Sequence, residues 1–316
     1  MPYAQLNLSD AIEGYTLASE IILAKTTRNN YAGTFRIFQE FLEDDPPLTD
    51  LTPRDVERFL GSLGDVSEST IRTRHIHLAA LWTWLVEQGF TETHIVHTVK
   101  VPGPKRADIV PYTQLDIVGM LSVLDKSKSY TRPGKRESAH SLPNSIRNRA
   151  IILLLLDTGV RATELCKLRL RHADMKNRRI EVENGKGNKD RTIPFSARTG
   201  QSLWRYLTTR KEATVGDPLF LTDEGNPYDR HSLRKLLVGI GKRAGVSTAV
   251  GAHRFRHTFA VSFLRNGIAQ GGPNPWALQE MLGHSDMQTV KIYLRIAQAD
   301  VDTAHRSASP VENWRL

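Results

Sequence analysis

A tyrosine set among cations raises the first chemical question in this chain. In LGHSDMQTVKIYLRI, residues 282–296, His284 precedes Tyr293 by nine positions. Packed beside Val290, Ile292 and Leu294, Tyr293 would be an ordinary core aromatic; with cations around it, its phenol can serve as a nucleophile. Upstream, HRFRHTFA offers two chemistries. His253 and His257, four apart on a helix, could share a zinc ion with His284 as third ligand. Arg254 and Arg256 would repel that ion, and the general-base glutamate of a two-histidine zinc motif is missing. Alternatively, one helical turn puts His253 and Arg256 on the same face, where imidazole and guanidinium address one phosphate.

The phosphate reading collects other residues. In TGVRATEL a glycine break places Arg161 just past a helix end, where Glu164 can orient it by an ion pair. GKGNKDR lifts Lys186 on a tight turn. Each alone is an ordinary surface cation. Together, Arg161, Lys186, His253, Arg256, His284 and Tyr293 contain what phosphotyrosine chemistry on DNA requires. A free phenol has a pKa near 10, so reaching phenolate at neutral pH costs roughly 4 kcal/mol unless a cationic pocket offsets it.

The elements that must hold these residues are mostly helical. Tyr31, Phe35, Phe38 and Leu42 follow helical spacing until Pro46-Pro47, and Thr52-Pro53 opens a helix burying Val56, Phe59 and Leu60. With SDAIEGYTLASEII in front and a helix from SEST to EQGF behind, the first hundred residues form a four-helix unit. KVPGPKRADIVPYT, with three prolines, reads as a stiff basic linker. The expected layout is therefore a helical domain at 1–100, a linker at 101–112 and a second domain at 113–316, with a tail from about 300. In the second domain NSIRNRAIILLLLDTG is a buried helix and RRIEVENGKGNKDRTIPF a β-hairpin with Lys186 and Lys189 at its tip. Further helices follow at DRHSLRKLLVGIGKRAG, HRFRHTFAVSFLRNG and NPWALQEMLG, while residues 126–145 read as a long polar loop.

Composition narrows the partners. The 316 residues suit two cores, and 40% hydrophobic content fills both. No apolar run reaches the roughly 20 residues of a membrane span, and the start lacks a signal pattern. One cysteine, Cys166, excludes an internal disulfide and a cysteine metal cage and fits a reducing interior. The net charge of +9 is uneven: residues 1–100 are net −6 and residues 101–316 net +15. Even the acidic part has a cationic stripe, IRTRHIHLAALW. Arg72, Arg74, His75, His77, Lys105, Arg106 and Lys189 are the expected contacts to a polyanionic backbone.

In this order and wording, TGVRATEL, GKGNKDR, HRFRHTFA and LGHSDMQTVKIY resemble the catalytic motifs of the tyrosine recombinase (phage integrase) family, its Xer-like members in particular. The resemblance spans about 135 residues of the second domain. RNGIAQGGPNPWALQEMLGH is a few residues longer than the family's usual run, which affects subfamily but no catalytic position. The resemblance implies an all-α N-terminal core-binding domain, a SAM-like helical bundle, and a mainly α catalytic domain with a small antiparallel β-sheet. It implies a site-specific DNA recombinase in which Tyr293 attacks a phosphate, forms a 3′-phosphotyrosyl bond and expels a 5′-hydroxyl. Strands are then exchanged between two duplexes through a Holliday junction, without ATP, metal or other cofactor. Arg161 and Arg256 would clamp the nonbridging oxygens. His253 would act as acid or base toward the tyrosine hydroxyl, His284 would donate to the phosphate, and Lys186 would protonate the departing oxygen. The implied partners are double-stranded DNA and three further copies, a homotetramer on two sites from a chain that is a monomer or weak dimer when free. No membrane is involved, and the location is cytoplasmic, on the nucleoid. The tail, ending in Val311, Trp314 and Leu316, is expected to dock on a neighbouring protomer. Topoisomerase-IB-like religation, a catalytically silent DNA-binding accessory protein and a zinc hydrolase are the alternative readings.

Overall fold

The computed structural model describes residues 6–103, 109–125, 144–183, 190–269, 274–283 and 287–297. The chain divides into two compact units, Met1–Asp108 and Ile109–Leu316.

In the first unit, α1 (Leu8–Ser19), α2 (Lys25–Leu42), α3 (Pro53–Ser62) and α4 (Glu68–Glu87) enclose one core. Local chemistry starts two of them. Pro53 suits the first position of α3, and Asp55 accepts from the Thr52 N–H at 3.0 Å to close the turn. The Ser67 hydroxyl accepts from Thr70 N at 3.2 Å to cap α4. Phe38, from α2, meets Phe59 and Trp82 at centroid distances of 4.9 and 6.2 Å. Burying each such ring contributes about 2–3 kcal/mol, which holds the helices together better than their intrinsic propensity could.

The second unit begins with α5 (Gln114–Ser122) and α6 (Ser145–Thr158). Residues 126–143, most of the expected loop, lie outside the described residues. Buried along Ala150, Ile151, Ile152, Leu154 and Leu155, α6 packs against α8 (Ala197–Leu207) and α10 (Ala252–Ala269). Between α6 and α8 lie the short α7 (Ala162–Lys167) and a three-stranded antiparallel sheet, β1 (Ala173–Asp174), β2 (Arg179–Val182) and β3 (Arg191–Pro194). Ile180 pairs with Ile193 and Val182 with Arg191. The predicted hairpin is thus widened by one strand, which sequence alternation over two residues is too short to signal. After α9 (Arg230–Arg243), α10 packs with α11 (Pro275–Leu282) and α12 (Met287–Ala297) around a smaller core that includes Leu278, Leu282, Val290 and Tyr293. Among the described residues no helix is long and apolar enough to cross a membrane.

Gly159 ends α6 in the left-handed region, φ +60°, and a Cβ there would stand 2.6 Å from the Phe259 ring and 3.1 Å from Leu282. Gly159→Ala therefore combines backbone strain with overpacking and should cost about 2–4 kcal/mol. Urea unfolding measures it; a loss under about 0.5 kcal/mol would mean that α10 and α11 shift freely at this point.

Candidate active site

Helix phase decides which side chains of HRFRHTFA converge. His253, Arg256 and His257 share one face of α10, being three and four residues apart. Arg254 turns the other way: it donates to the carbonyls of Val110 at 2.7 Å and Pro111 at 3.1 Å and lies over the Tyr112 ring. Arg254 therefore anchors the chain entering the unit and takes no part in the site.

Arg256 is 2% exposed, a buried charge that needs partners. It donates to Gly159 O at 2.8 Å and Leu282 O at 2.6 Å, the carbonyls at the ends of α6 and α11. Helix C-termini carry unsatisfied carbonyls and partial negative charge, so two of them form a socket for a guanidinium. Burial, then the nearby Arg161, lower the Arg256 guanidinium to about 10, so it stays protonated at neutral pH. Arg161 follows the glycine break, as its sequence context suggested. It donates to Glu164 at 2.7 Å and to Gly283 O at 3.3 Å, and stays partly exposed.

Sequence reasoning missed Arg191. It starts β3 two residues before Ile193, and the strand period of two puts it on the same inward face. That alternation was the available signal. Arg191 donates to Met281 O at 2.8 Å and grips Glu164 through two bonds, 3.0 and 2.7 Å. Burial works to raise the Glu164 carboxyl, yet the hydrogen bonds from Arg191 and Arg161 outweigh it and hold it at about 2.

Tyr293, on α12, is 1% exposed and packs beside Val290 and Leu294, whereas Ile292 faces out. The core reading and the chemical reading therefore both describe it. Its hydroxyl lies 2.8 Å from Nδ1 of His257, not of His253 as the resemblance implied. The reason is distance along the helix: His257 is one turn nearer the core, with His253 against it at a centroid distance of 4.2 Å. Burial raises the phenol above its ordinary value, with Arg256 and Arg161 pulling back. Burial, then His253 and Arg256, push His257 down to about 4; burial, then Arg256 and Arg161, also lower His253. Both imidazoles are neutral at pH 7. Among the described residues no group of three metal-ligating side chains comes together. Lys186, Lys189 and His284 lie outside the described residues, as do Lys105 and Arg106.

The cationic stripe on α4 divides. His75 Nε2 lies 3.1 Å from Val96 O, and His77 Nδ1 lies 2.7 Å from the Thr34 hydroxyl with its ring against Tyr31. Two residues apart, these half-buried histidines lie on opposite flanks of the buried stripe of Leu78 and Leu81, each held by a bond within the unit. Arg72 and Arg74 are partly exposed, with Arg72 within 3.5 Å of Pro102 O.

A helical bundle, followed by a mixed unit in which arginines and histidines converge on a buried tyrosine, defines the tyrosine recombinase fold. Residues 136–300 match the phage integrase family, and residues 12–89 match the phage integrase N-terminal SAM-like domain. The chain belongs to the phage integrase family. Tyrosine recombinase XerC of Lactobacillus delbrueckii subsp. bulgaricus is 26% identical over 271 residues, covering 84% of this chain and 85% of that one. Tyrosine recombinase XerA of Pyrococcus furiosus is 29% identical over 269 residues, with 83% and 82% covered. In fold, the Tn1549 transposon integrase in complex with a circular intermediate DNA is similar at a TM-score of 0.73 and 19% identity, over 94% of this chain and 99% of that one. The XerH recombinase bound to palindromic difH substrate gives 0.70 at 21% identity, over 95% and 84%.

Glu164 generates a prediction for stability. Because its folded value of about 2 lies below the ordinary 4.5, its contribution is complete above about pH 5 and is lost as pH falls through 2. The difference corresponds to about 3 kcal/mol. Glu164→Gln should lose about that much or more at pH 7, since Arg191 is then buried without its counter-charge, and should flatten the acid limb of the stability curve. An unchanged denaturation profile between pH 2 and 5 would remove Glu164 from this role.

Proposed function

We propose that this protein is a site-specific DNA recombinase that cuts and rejoins strands through a 3′-phosphotyrosyl intermediate on Tyr293. The observation that carries the reading is the convergence of Tyr293 with Arg161, His253 and Arg256 in a member of the phage integrase family. Arg161 and Arg256 hold the nonbridging oxygens as negative charge builds, a task fixed cations perform without reorganising. His253, exposed beside both arginines, faces the phosphate with His284, and Lys186 protonates the departing 5′ oxygen. Arg72, Arg74, Lys105, Arg106 and Lys189 supply further phosphate contacts, which position the duplex without reading its sequence. Exchange between two duplexes requires a nucleophile for each strand cut, so the working form is a tetramer on two sites, acting on the nucleoid in the cytoplasm.

Tyr293→Phe should bind site-containing duplex with unchanged affinity and trap no covalent adduct on a nicked suicide substrate. Adduct in that variant would move the nucleophile elsewhere. Wild-type binding without any adduct would favour an accessory protein, and relaxation of supercoils without exchange a topoisomerase.

Lys186→Ala should cleave ordinary DNA slowly and recover on a substrate with sulfur at the bridging 5′ position, because a thiolate departs without a proton. Failure to recover would leave Lys186 a phosphate contact and make Lys189 the next candidate acid.

A further inference from the structure

The chemistry proposed above makes no use of His257, although its ring meets the nucleophile. Nδ1 stands 2.8 Å from the Tyr293 oxygen, and the two rings are 5.6 Å apart between centroids. His253 packs edge-on against His257. On the reading that Tyr293 is the nucleophile, we propose that His257 takes the Tyr293 proton through Nδ1 during cleavage and returns it during religation.

Charge state permits a hydrogen bond poised for this transfer. A buried phenol raised above its ordinary value keeps its proton, and an imidazole lowered to about 4 is neutral with one nitrogen free to accept. With the ring's own proton on Nε2, the Tyr293 O–H donates to Nδ1, and this is the tautomer from which the transfer starts. In the forward step a lone pair of the phenol oxygen forms the O–P bond while its proton passes to Nδ1. The P–O5′ bond breaks with its electron pair on O5′, which takes a proton from Lys186. Net charge is conserved: the imidazole becomes imidazolium, the lysine becomes neutral, and the phosphodiester keeps one negative charge. Religation runs the same transfers backward.

A weakly basic imidazole suffices. As the oxygen bonds to phosphorus its proton becomes far more acidic than that of a free phenol, so transfer turns favourable during the step. The incoming phosphate also offsets Arg256, one of the charges that depress His257. Because His257 directly follows Arg256 on α10, the proton acceptor and the phosphate clamp ride on one rigid turn.

Single-turnover adduct formation on the suicide duplex tests this with the full chain. The set is wild type, His257→Ala, His257→Asn and Tyr293→Phe, with the first three also prepared carrying a difluorotyrosine at position 293. Asparagine puts an amide oxygen near the place of Nδ1, so it accepts a hydrogen bond but cannot take the proton. Both His257 variants should bind DNA as wild type does and cleave about 100-fold or more slowly. The more acidic fluorinated phenol should recover at least ten-fold in the alanine variant and little in wild type. The comparison of phenols is made within each variant, at a temperature where melting curves show it folded, so lost stability cannot mimic the result. Wild-type rates in His257→Asn, or no response to phenol acidity in His257→Ala, overturn the proposal. Adduct formation by Tyr293→Phe instead overturns the underlying assignment of the nucleophile, with His257 untouched.

Discussion

Three arginines, two of them buried, share one pocket, and the end of α11 is what makes that possible. Its last carbonyls, from Met281, Leu282 and Gly283, accept from Arg191, Arg256 and Arg161 respectively. An isolated helix end leaves such carbonyls without donors, and buried guanidinium groups lack acceptors. Placed together, each satisfies the other. Removing an ion from water costs several kcal/mol, so partial charges at a helix end are not enough alone. Glu164 supplies the full negative charge, gripping Arg191 by two bonds and Arg161 by one side-chain bond.

This arrangement makes fold and site one object. Arg256 ties the end of α6 to the end of α11, and both ends stop at a glycine in the left-handed region, Gly159 at φ +60° and Gly283 at φ +61°. At Gly283 a Cβ would press on the Arg191 side chain at 3.0 Å. The glycines are there for two reasons, backbone handedness and the closeness of the arginine cluster. Arg191 extends the tie to the sheet, since it begins the strand that follows residues 184–189. The hairpin carrying the proposed lysines is therefore fastened to α11 by the same side chain that neutralises Glu164.

Much of this was legible in the sequence, and the failures have physical causes. Helical spacing and the Thr52-Pro53 start located the first bundle because its apolar residues have a single buried face. The Arg161–Glu164 pair was readable because its partners are three residues apart on one chain segment. Arg191 was overlooked beside the more conspicuous lysines of its turn, though strand alternation put it inward. His75 and His77 were read from charge alone, which does not encode their bonds to Val96 O and the Thr34 hydroxyl. The contact between His257 and Tyr293 depends on how α12 packs on α10, and spacing along the chain does not encode that register. Four-apart histidines offered a metal pair that the flanking arginines already argued against, and α10 separates them into an exposed ring and one against the phenol.

Burial, which stabilises nothing by itself, leads the shifts of Tyr293, His257 and His253. It keeps the phenol protonated and the imidazoles neutral, so at rest Tyr293 and His257 add no charge beside Arg256. Arg161, Arg191 and Arg256 carry three positive charges against the single negative charge of Glu164. Two are left over. A phosphodiester in its ground state brings one negative charge, and the five-coordinate group formed when an oxygen adds to it, having lost the phenol's proton, carries two. A surplus of fixed positive charge would favour the reacting phosphate more as its negative charge grows, which is the condition for lowering a barrier instead of merely tightening binding.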